Sequence, residues 1–189
     1  VQSSVINAFC EKLAVAMNSE LKVGNGTEPN INIGPLIHEN AVKKVSEHVQ
    51  DAIDNGAELL LGGHPHPLGG NYFTPTLISF ATDAMKVAHE ETFGPLAAVF
   101  PFDDEETAIE MANDTQYGLA SYFYSRDLAR VWRVAEALEY GMVGINTGLI
   151  SNAAAPFGGV KASGLGREGG HQGLEEYLET KYLCIDLGK

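Results

Sequence analysis

The sequence predicts an α/β protein built on an open, largely parallel sheet with helices on both faces. Short apolar strands alternate along the chain with amphipathic stretches of helical period, and this alternation favours crossover connections between parallel strands. The 189 residues are 44% hydrophobic and 20% charged, which is typical of a protein that buries a sizeable core. This length allows one substantial domain plus an appendage.

Two helices are predicted at the N-terminal end of the chain. Apolar residues at helical spacing indicate an amphipathic helix over 4–19, with Cys10 on its buried stripe. A loop rich in Gly, Asn and Pro follows. A second helix over 41–53 is expected to stop at Asn55-Gly56, because glycine commonly terminates helices.

The next elements are strands. Residues 59–61 form a short apolar run, and 62–71 are dense in Gly and Pro, which indicates an exposed turn. Residues 72–80 have the composition of a strand interrupted by Pro75. Because proline donates no hydrogen bond to a neighbouring strand, we expect this strand at an edge of the sheet.

The alternation is clearest in the middle of the chain, where acidic residues precede both helices and glycine ends the second. The predicted segments are strand 96–102, helix 103–113, strand 118–125, helix 127–139 and strand 142–146.

Glycine dominates the C-terminal region. A loop over 156–170 is followed by a short helix near 173–178. Residues Tyr182 to Leu187 alternate in polarity like a strand, with no further strand after them to pair with. An unpaired strand edge needs a partner.

Charge and composition exclude several classes of function. The chain has 25 acidic and 12 basic residues, a net charge of -13, so it repels nucleic acid. It has no apolar run of membrane-spanning length and no signal-peptide pattern at its start, so no membrane partner is expected. Its two cysteines provide no disulfide framework, and we expect a cytoplasmic location.

Two motifs are weak on inspection. Residues 164–169 have the glycine spacing of a dinucleotide-binding turn, but no apolar strand precedes them, and an acidic ribose ligand about 20 residues later would fall at the very end of the chain. A tight turn is the preferred interpretation. His64 and His66 have no third ligand at a zinc-type spacing, so no metal site is predicted.

The reactive side chains divide into packing residues and one candidate ligand contact. Cys10 lies in the middle of a helix and Cys184 in an alternating strand, so both are expected to pack rather than react. Glu90-Glu91 precedes a strand, where α/β sheets place ligand contacts, although a solvated charge is the simpler interpretation.

Four segments together resemble the C-terminal landmarks of the aldehyde dehydrogenase superfamily, in the order and spacing of that family. They are HEETFGP at 89–95, NDTQYGLA at 113–120, GMVGIN at 141–146 and PFGGVKASGLGREG at 156–169. The resemblance runs along the whole chain, and the final stretch is most similar to the succinate-semialdehyde dehydrogenases.

The resemblance implies a fold and an activity. The fold is the aldehyde dehydrogenase catalytic domain, incomplete here. Residues 1–165 would belong to the catalytic domain, 166–178 to a return loop and helix, and 179–189 to an oligomerisation strand shared with same-protein subunits as a dimer or tetramer. The activity is oxidation of succinate semialdehyde, or a similar ω-carboxy aldehyde, through a cysteine thioester, with NAD or NADP as cofactor.

The resemblance also assigns four site residues. Glu91 matches the glutamate that hydrogen-bonds the nicotinamide ribose, and Phe93 matches the aromatic residue beside the nicotinamide ring. Ser151 matches a serine that helps to hold the substrate carboxylate. Phe157 matches the aromatic wall of the aldehyde tunnel.

The sequence lacks the family's Gly-Gln-x-Cys loop, its general base and its main nucleotide domain. We therefore expect that these 189 residues are the C-terminal part of the enzyme, starting after the catalytic cysteine. The nucleophile and the base would lie upstream, and the segment alone would be inactive. Two alternatives remain open: a stand-alone oligomerisation or binding module, and a broad-specificity aldehyde dehydrogenase.

Overall fold

A computed structural model describes residues 1–188 of the chain. The chain divides into two compact units, of which the first is Val1–Asp104 and the second begins at Glu105. Each unit has its own helices and sheets. No helix within residues 1–188 has the length and apolar character to cross a membrane.

The first unit contains three α-helices and one three-stranded sheet. A 3-10 turn, Ser3–Val5, leads into the first helix. The elements are α1 Ile6–Glu20, α2 Glu39–Asp54, β1 Glu58–Leu61, β2 Thr76–Ser79, α3 Lys86–His89 and β3 Leu96–Val99. The two long helices confirm the helical periodicity of the sequence, and α2 ends at Asp54 with Asn55 as its C-cap, in agreement with the predicted stop at Asn55-Gly56.

Strand β2 is the centre of this unit. It pairs with β1 antiparallel on one side and with β3 parallel on the other. All four of its residues are buried. The prediction of an edge strand was wrong, because Pro75 lies just before the paired residues and Thr76 donates its backbone N–H to the Pro95 carbonyl at 2.8 Å.

The two faces of β2 are covered by different helices. Leu77 packs with Ile6 and Cys10 of α1. Its neighbour Ile78 packs on the other face, against Ala52 of α2 and Met85. Both strand side chains are fully buried. Since side chains alternate along a strand, one apolar strand thereby joins two helical layers.

The second unit has three helices and two small sheets. The elements are α4 Glu105–Asn113, β4 Tyr117–Gly118, β5 Ala120–Phe123, α5 Leu128–Ala137, β6 Met142–Ile145, β7 Val160–Lys161 and α6 Gln172–Glu175. Strands β5 and β6 are parallel and are joined through α5, as the sequence predicts, whereas β4 and β7 are antiparallel.

The prediction of one open, largely parallel sheet is only partly correct. The described residues form three separate sheets, with two parallel and two antiparallel strand pairs. The antiparallel pair of β1 and β2 has a physical reason: the connection over 62–75 contains no helix, and a parallel return needs a longer crossover.

The predicted C-terminal strand is absent from the described residues. Tyr182 to Leu187 form no helix or strand and pair with no strand of this chain. Cys184 is exposed, so the expectation that it packs was wrong. Alternating polarity favours a strand only where a partner edge exists. The last residue of the predicted 179–189 segment lies outside the described residues.

Two arginines of α5 join that helix to the start of α4. Arg130 donates from Nε to Glu105 at 2.8 Å, and Arg133 donates from Nε to the same carboxylate at 3.0 Å. The hydrogen bond from Arg130 holds the pKa of the Glu105 carboxyl below its usual range. The ionised carboxylate therefore favours the folded state.

We expect the substitution Glu105→Gln to destabilise the protein in a pH-dependent way. Because the folded-state pKa is depressed, its stabilisation is present above the ordinary glutamate pKa and is lost as the pH falls through the depressed value. Urea unfolding should show a lower midpoint for the variant at about pH 7 and a much smaller difference at about pH 3. The exposed neighbour Glu106 provides the control, E106Q. An equal difference at both pH values would contradict the role of the ionised carboxylate.

The burial of Cys10 generates a second prediction. The residue is 4% exposed within an apolar cluster, and burial raises the pKa of its thiol. We expect iodoacetamide to modify Cys10 only after the chain is unfolded, as measured by peptide mapping in the mass spectrometer. Modification of native Cys10 at the rate found in urea would contradict its place in the core.

Candidate functional site

The first candidate site is the segment between α3 and β3, residues 90–94. Glu91 is exposed, and the ring of Phe93 is 79% exposed. An apolar ring in water is costly unless something covers it. The segment thus presents the Glu91 carboxylate and the Phe93 ring, beside the half-exposed carboxylate of Glu90, and these groups suit a ligand with hydroxyl groups and a planar ring.

A buried histidine of α2 holds this segment. His48 is 1% exposed. Its Nδ1 lies 2.5 Å from Oγ1 of Thr92, and its Nε2 lies 3.2 Å from Oε2 of Glu90. The two contacted residues stand on either side of Glu91, so the histidine fixes the segment around the exposed carboxylate.

The end of the segment packs against the same helix. A Cβ atom added at Gly94 would lie 2.5 Å from Cγ2 of Val45, which is closer than packed carbon atoms approach one another. Gly94 also donates its N–H to the Thr92 carbonyl at 2.8 Å. Glycine is therefore the residue that permits the close approach of the segment to α2.

His48 is not among the residues predicted from the sequence. A signal was present, since His48 falls on the apolar face of α2, whose buried members are Val42, Val45, His48, Val49 and Ala52. A histidine on such a face requires hydrogen-bond partners from another element. The sequence does not show which element provides them.

The second candidate site lies in the second unit and is a pocket of about 440 Å³. It is formed by the start of β6 and the loop that follows that strand, and Ser151 is part of its wall. Its lining residues are Gly141, Met142, Val143, Leu149, Ile150, Ser151, Asn152, Ala155 and Pro156. Polar groups, among them the Ser151 hydroxyl, the Asn152 amide and the backbone, make up more of the wall than the apolar side chains do.

Hydrogen bonds within the loop shape this pocket. The side-chain oxygen of Asn152 accepts from the Ala154 N–H at 2.9 Å, and the backbone carbonyl of Asn152 accepts from the Ala155 N–H at 3.0 Å. The turn places Ser151 on the exposed side of the loop. A hydroxyl at an open pocket wall can donate to an anionic group of a small ligand.

Phe157 does not line this pocket. It is partly buried, and its backbone pairs with Glu168 through two hydrogen bonds of 2.7 Å. The first unit therefore holds Glu91 and Phe93 together in one segment. In the second unit, Ser151 lies in the pocket and Phe157 lies in the neighbouring loop.

The glycine motif at 164–169 has the geometry of a turn. Gly164 and Gly166 have φ angles of +116° and +80°, which glycine adopts readily. Nη1 of Arg167 donates to the carbonyls of Gly159 and Gly166 at 2.8 and 2.7 Å. Because α6 begins only at Gln172, these glycines do not stand at the helix N-terminus that a dinucleotide-binding turn requires.

The two histidines of the 62–71 region also have structural partners. Nδ1 of His64 lies 3.0 Å from the Pro65 carbonyl, and Nδ1 of His66 accepts from the Leu68 N–H at 3.2 Å. Within residues 1–188, no cluster of three or more His, Cys, Asp or Glu side chains is arranged to hold a metal ion.

The chain matches the model of the aldehyde dehydrogenase family over residues 1–183. Among curated relatives, 3-sulfolactaldehyde dehydrogenase of Pseudomonas putida is 58% identical over 98% of the chain. Glutarate-semialdehyde dehydrogenase of Pseudomonas aeruginosa is 60% identical over 98% of it. The NADP(+) succinate-semialdehyde dehydrogenase of Escherichia coli is 58% identical over 99%.

Solved structures show the same similarity. The crystal structure of succinate-semialdehyde dehydrogenase from Burkholderia pseudomallei superposes with a TM-score of 0.95 at 60% identity, and the match covers 98% of this chain and 38% of that one. The chain likewise spans 38% of the length of the two Pseudomonas relatives and 39% of the E. coli relative.

One prediction from the sequence is contradicted by these comparisons. We expected the C-terminal part of such an enzyme, starting after the catalytic cysteine, whereas the comparisons assign the match to the N-terminal ~38% of the relatives. Similarity of sequence landmarks was therefore an unsafe guide to position in the whole protein. The family itself is unaffected, because the match to its model extends over nearly the entire chain. The chain belongs to the aldehyde dehydrogenase family.

Proposed function

We propose that the chain is part of an NAD(P)-dependent dehydrogenase that oxidises succinate semialdehyde, or a similar ω-carboxy aldehyde, to the carboxylate. The three relatives named above support this proposal, because each is named for an aldehyde that carries a second, anionic group. The observation that carries the substrate class is the position of Ser151 in the wall of a small open pocket that combines apolar side chains with polar groups.

The pocket suits the two ends of such a substrate. A short methylene chain gains from apolar surface, whereas its far carboxylate needs a hydrogen-bond donor. In this proposal Ser151 donates to the carboxylate, and the partly buried ring of Phe157, in the neighbouring loop outside the pocket, forms an aromatic wall of the tunnel through which the aldehyde enters. A broad-specificity enzyme would have no need of the hydroxyl, so Ser151 discriminates between the two functions.

We assign the coenzyme to the 90–94 segment. The exposed carboxylate of Glu91 would accept hydrogen bonds from the ribose next to the nicotinamide, and the exposed ring of Phe93 would lie beside the nicotinamide itself. When bound, NAD or NADP supplies the acceptor for the hydride that leaves the aldehyde carbon. The printed name of the E. coli relative specifies NADP(+).

The covalent step requires a cysteine thiolate, and we assign it neither to the buried Cys10 nor to Cys184, which is exposed but lies in the segment proposed below as the subunit contact. In the proposed reaction a cysteine thiolate adds to the aldehyde carbon, hydride departs, and water hydrolyses the resulting thioester to carboxylate and thiol. Cys10 is buried in an apolar cluster with a raised pKa, which disfavours the thiolate. We therefore place the nucleophile and the general base outside these 189 residues.

The segment 182–187 is our proposed contact with same-protein subunits, as a dimer or tetramer. Its apolar side chains are exposed in the chain, from Leu183 at 72% to Leu187 at 91%. An exposed apolar run with free backbone groups can add as a strand to a neighbouring sheet. Both cysteines are free, which is typical of a reducing compartment, and we propose the cytoplasm.

The substitution Ser151→Ala in the full-length enzyme tests the substrate assignment. We expect a loss of about 1 to 2 kcal/mol for succinate semialdehyde, mainly as a higher KM, because one hydrogen bond to a charged group is removed. Butanal has no carboxylate, so its kinetics should hardly change. Ser19→Ala, in an exposed serine of α1, is the matched control. Equal losses for both aldehydes would remove Ser151 from the substrate site.

Deletion of Tyr182 to Lys189 from the full-length enzyme tests the subunit contact. We expect light scattering to show a lower oligomeric mass, because the deletion removes the strand that would join two subunits. A variant that replaces only Gly188 and Lys189 with serine should keep the original mass. Unchanged mass after the deletion would show that the segment packs within its own subunit.

A further inference from the structure

We propose that His48 is a positioning residue for the coenzyme, acting through the 90–94 segment. The inference rests on the proposed function, since it assigns to His48 the orientation of Glu91 and Phe93. His48 does not lie on the exposed surface where a ligand would bind. Its role would be to hold the two residues that alternate with the proposed coenzyme contacts.

Because His48 is buried, each of its ring nitrogens requires a hydrogen-bond partner within the protein. An imidazole has two polar nitrogens, and either one left unpaired in the interior is costly. Both nitrogens of His48 have their partners in the same short run, at Thr92 and Glu90. Movement of this run away from α2 would break both bonds together, so the histidine restrains it at two points.

One tautomer satisfies both contacts. An ionised carboxylate only accepts hydrogen bonds, so Nε2 of His48 carries the hydrogen and donates it to Glu90. In the neutral imidazole, Nδ1 is then the acceptor for the hydroxyl of Thr92. The arrangement requires an acceptor at position 90 and a hydroxyl at position 92, and the sequence has both.

The alternation of the backbone links these contacts to the proposed site. Glu90 is extended, with φ -109° and ψ 134°. Successive side chains of an extended chain point in opposite directions. With Glu90 and Thr92 turned towards His48, Glu91 is presented on the other side, and Phe93 is left 79% exposed. The inward pair thereby determines which residues face a ligand.

Two further contacts join the 90–94 segment and the start of α3 to the side of α2 that carries His48. Val45 meets Gly94 at the end of the segment, and Oδ2 of Asp51 accepts from the Lys86 N–H at 2.7 Å at the start of α3. Val45, His48 and Asp51 follow one another at three-residue spacing and so lie along one side of α2. His48 is the middle contact of the three.

The test uses the full-length enzyme and two variants that remove hydrogen bonds of His48. His48→Leu removes both bonds at similar volume, and Thr92→Val removes the hydroxyl alone. Thr92→Ser retains a hydroxyl and is the conservative variant. Ser46→Ala is the matched control, because the Ser46 hydroxyl donates to the Val42 carbonyl within α2.

The first measurement is amide hydrogen exchange of residues 88–95 without coenzyme. We expect H48L to accelerate exchange there by about tenfold and T92V by about threefold, while T92S and S46A stay near wild type. The second is the Kd of the reduced coenzyme, followed by nicotinamide fluorescence. It should rise by about tenfold in H48L, with the aldehyde KM changed by less than about twofold.

The inference is overturned if T92V leaves both exchange and coenzyme Kd unchanged, or if H48L loosens all of α2 as much as the segment. Glu91→Gln and Phe93→Ala separate this failure from that of the proposed function. If they leave the coenzyme Kd unchanged while H48L still loosens the segment, the coenzyme assignment fails and the restraint by His48 stands. If they weaken coenzyme binding and H48L does not, His48 is not a positioning residue.

Discussion

Complete burial of β2 is the constraint on which the first unit depends. A strand with no exposed residue must be covered on both faces and paired on both edges. The chain meets this demand with α1 on the Leu77 face, α2 on the Ile78 face, and β1 and β3 as the flanking strands. The same arrangement brings α2 to the start of β3, where the 90–94 segment leads into the sheet. The candidate coenzyme site is thus built on the layer that closes the core.

The sequence predicts the helices well because their signals are local. Period and capping are contained within a dozen residues, as at Asp127, whose side chain accepts from the Arg130 N–H at 2.6 Å. Sheet pairing depends on distant partners instead. Pro75 predicted an edge strand. A proline disrupts strand pairing only when it lies inside the paired residues, and Pro75 lies just before them. The alternating run at 182–187 likewise met no partner in this chain.

The same difference between local signals and distant partners applies to the residues of the candidate site. Glu91, Phe93, Ser151 and Phe157 came from resemblance to a family, since side chains of these types in loops have no distinctive local pattern. His48 had such a pattern, a polar residue on an apolar helix face, but its partners are more than forty positions away along the chain. Physical chemistry predicts from the sequence that this histidine needs partners. Identifying them requires the three-dimensional fold.

The alternation of inward and outward side chains over 90–93 makes chain length there more critical than composition. Removal or insertion of a single residue between His89 and Gly94 would shift the register by one position. The two side chains now turned towards α2 would face solvent, and an aromatic ring would be directed at the buried imidazole. A change that keeps both contacts with His48 would therefore be a replacement at fixed length, and Gly94, where no side chain fits, marks the point from which that length is counted.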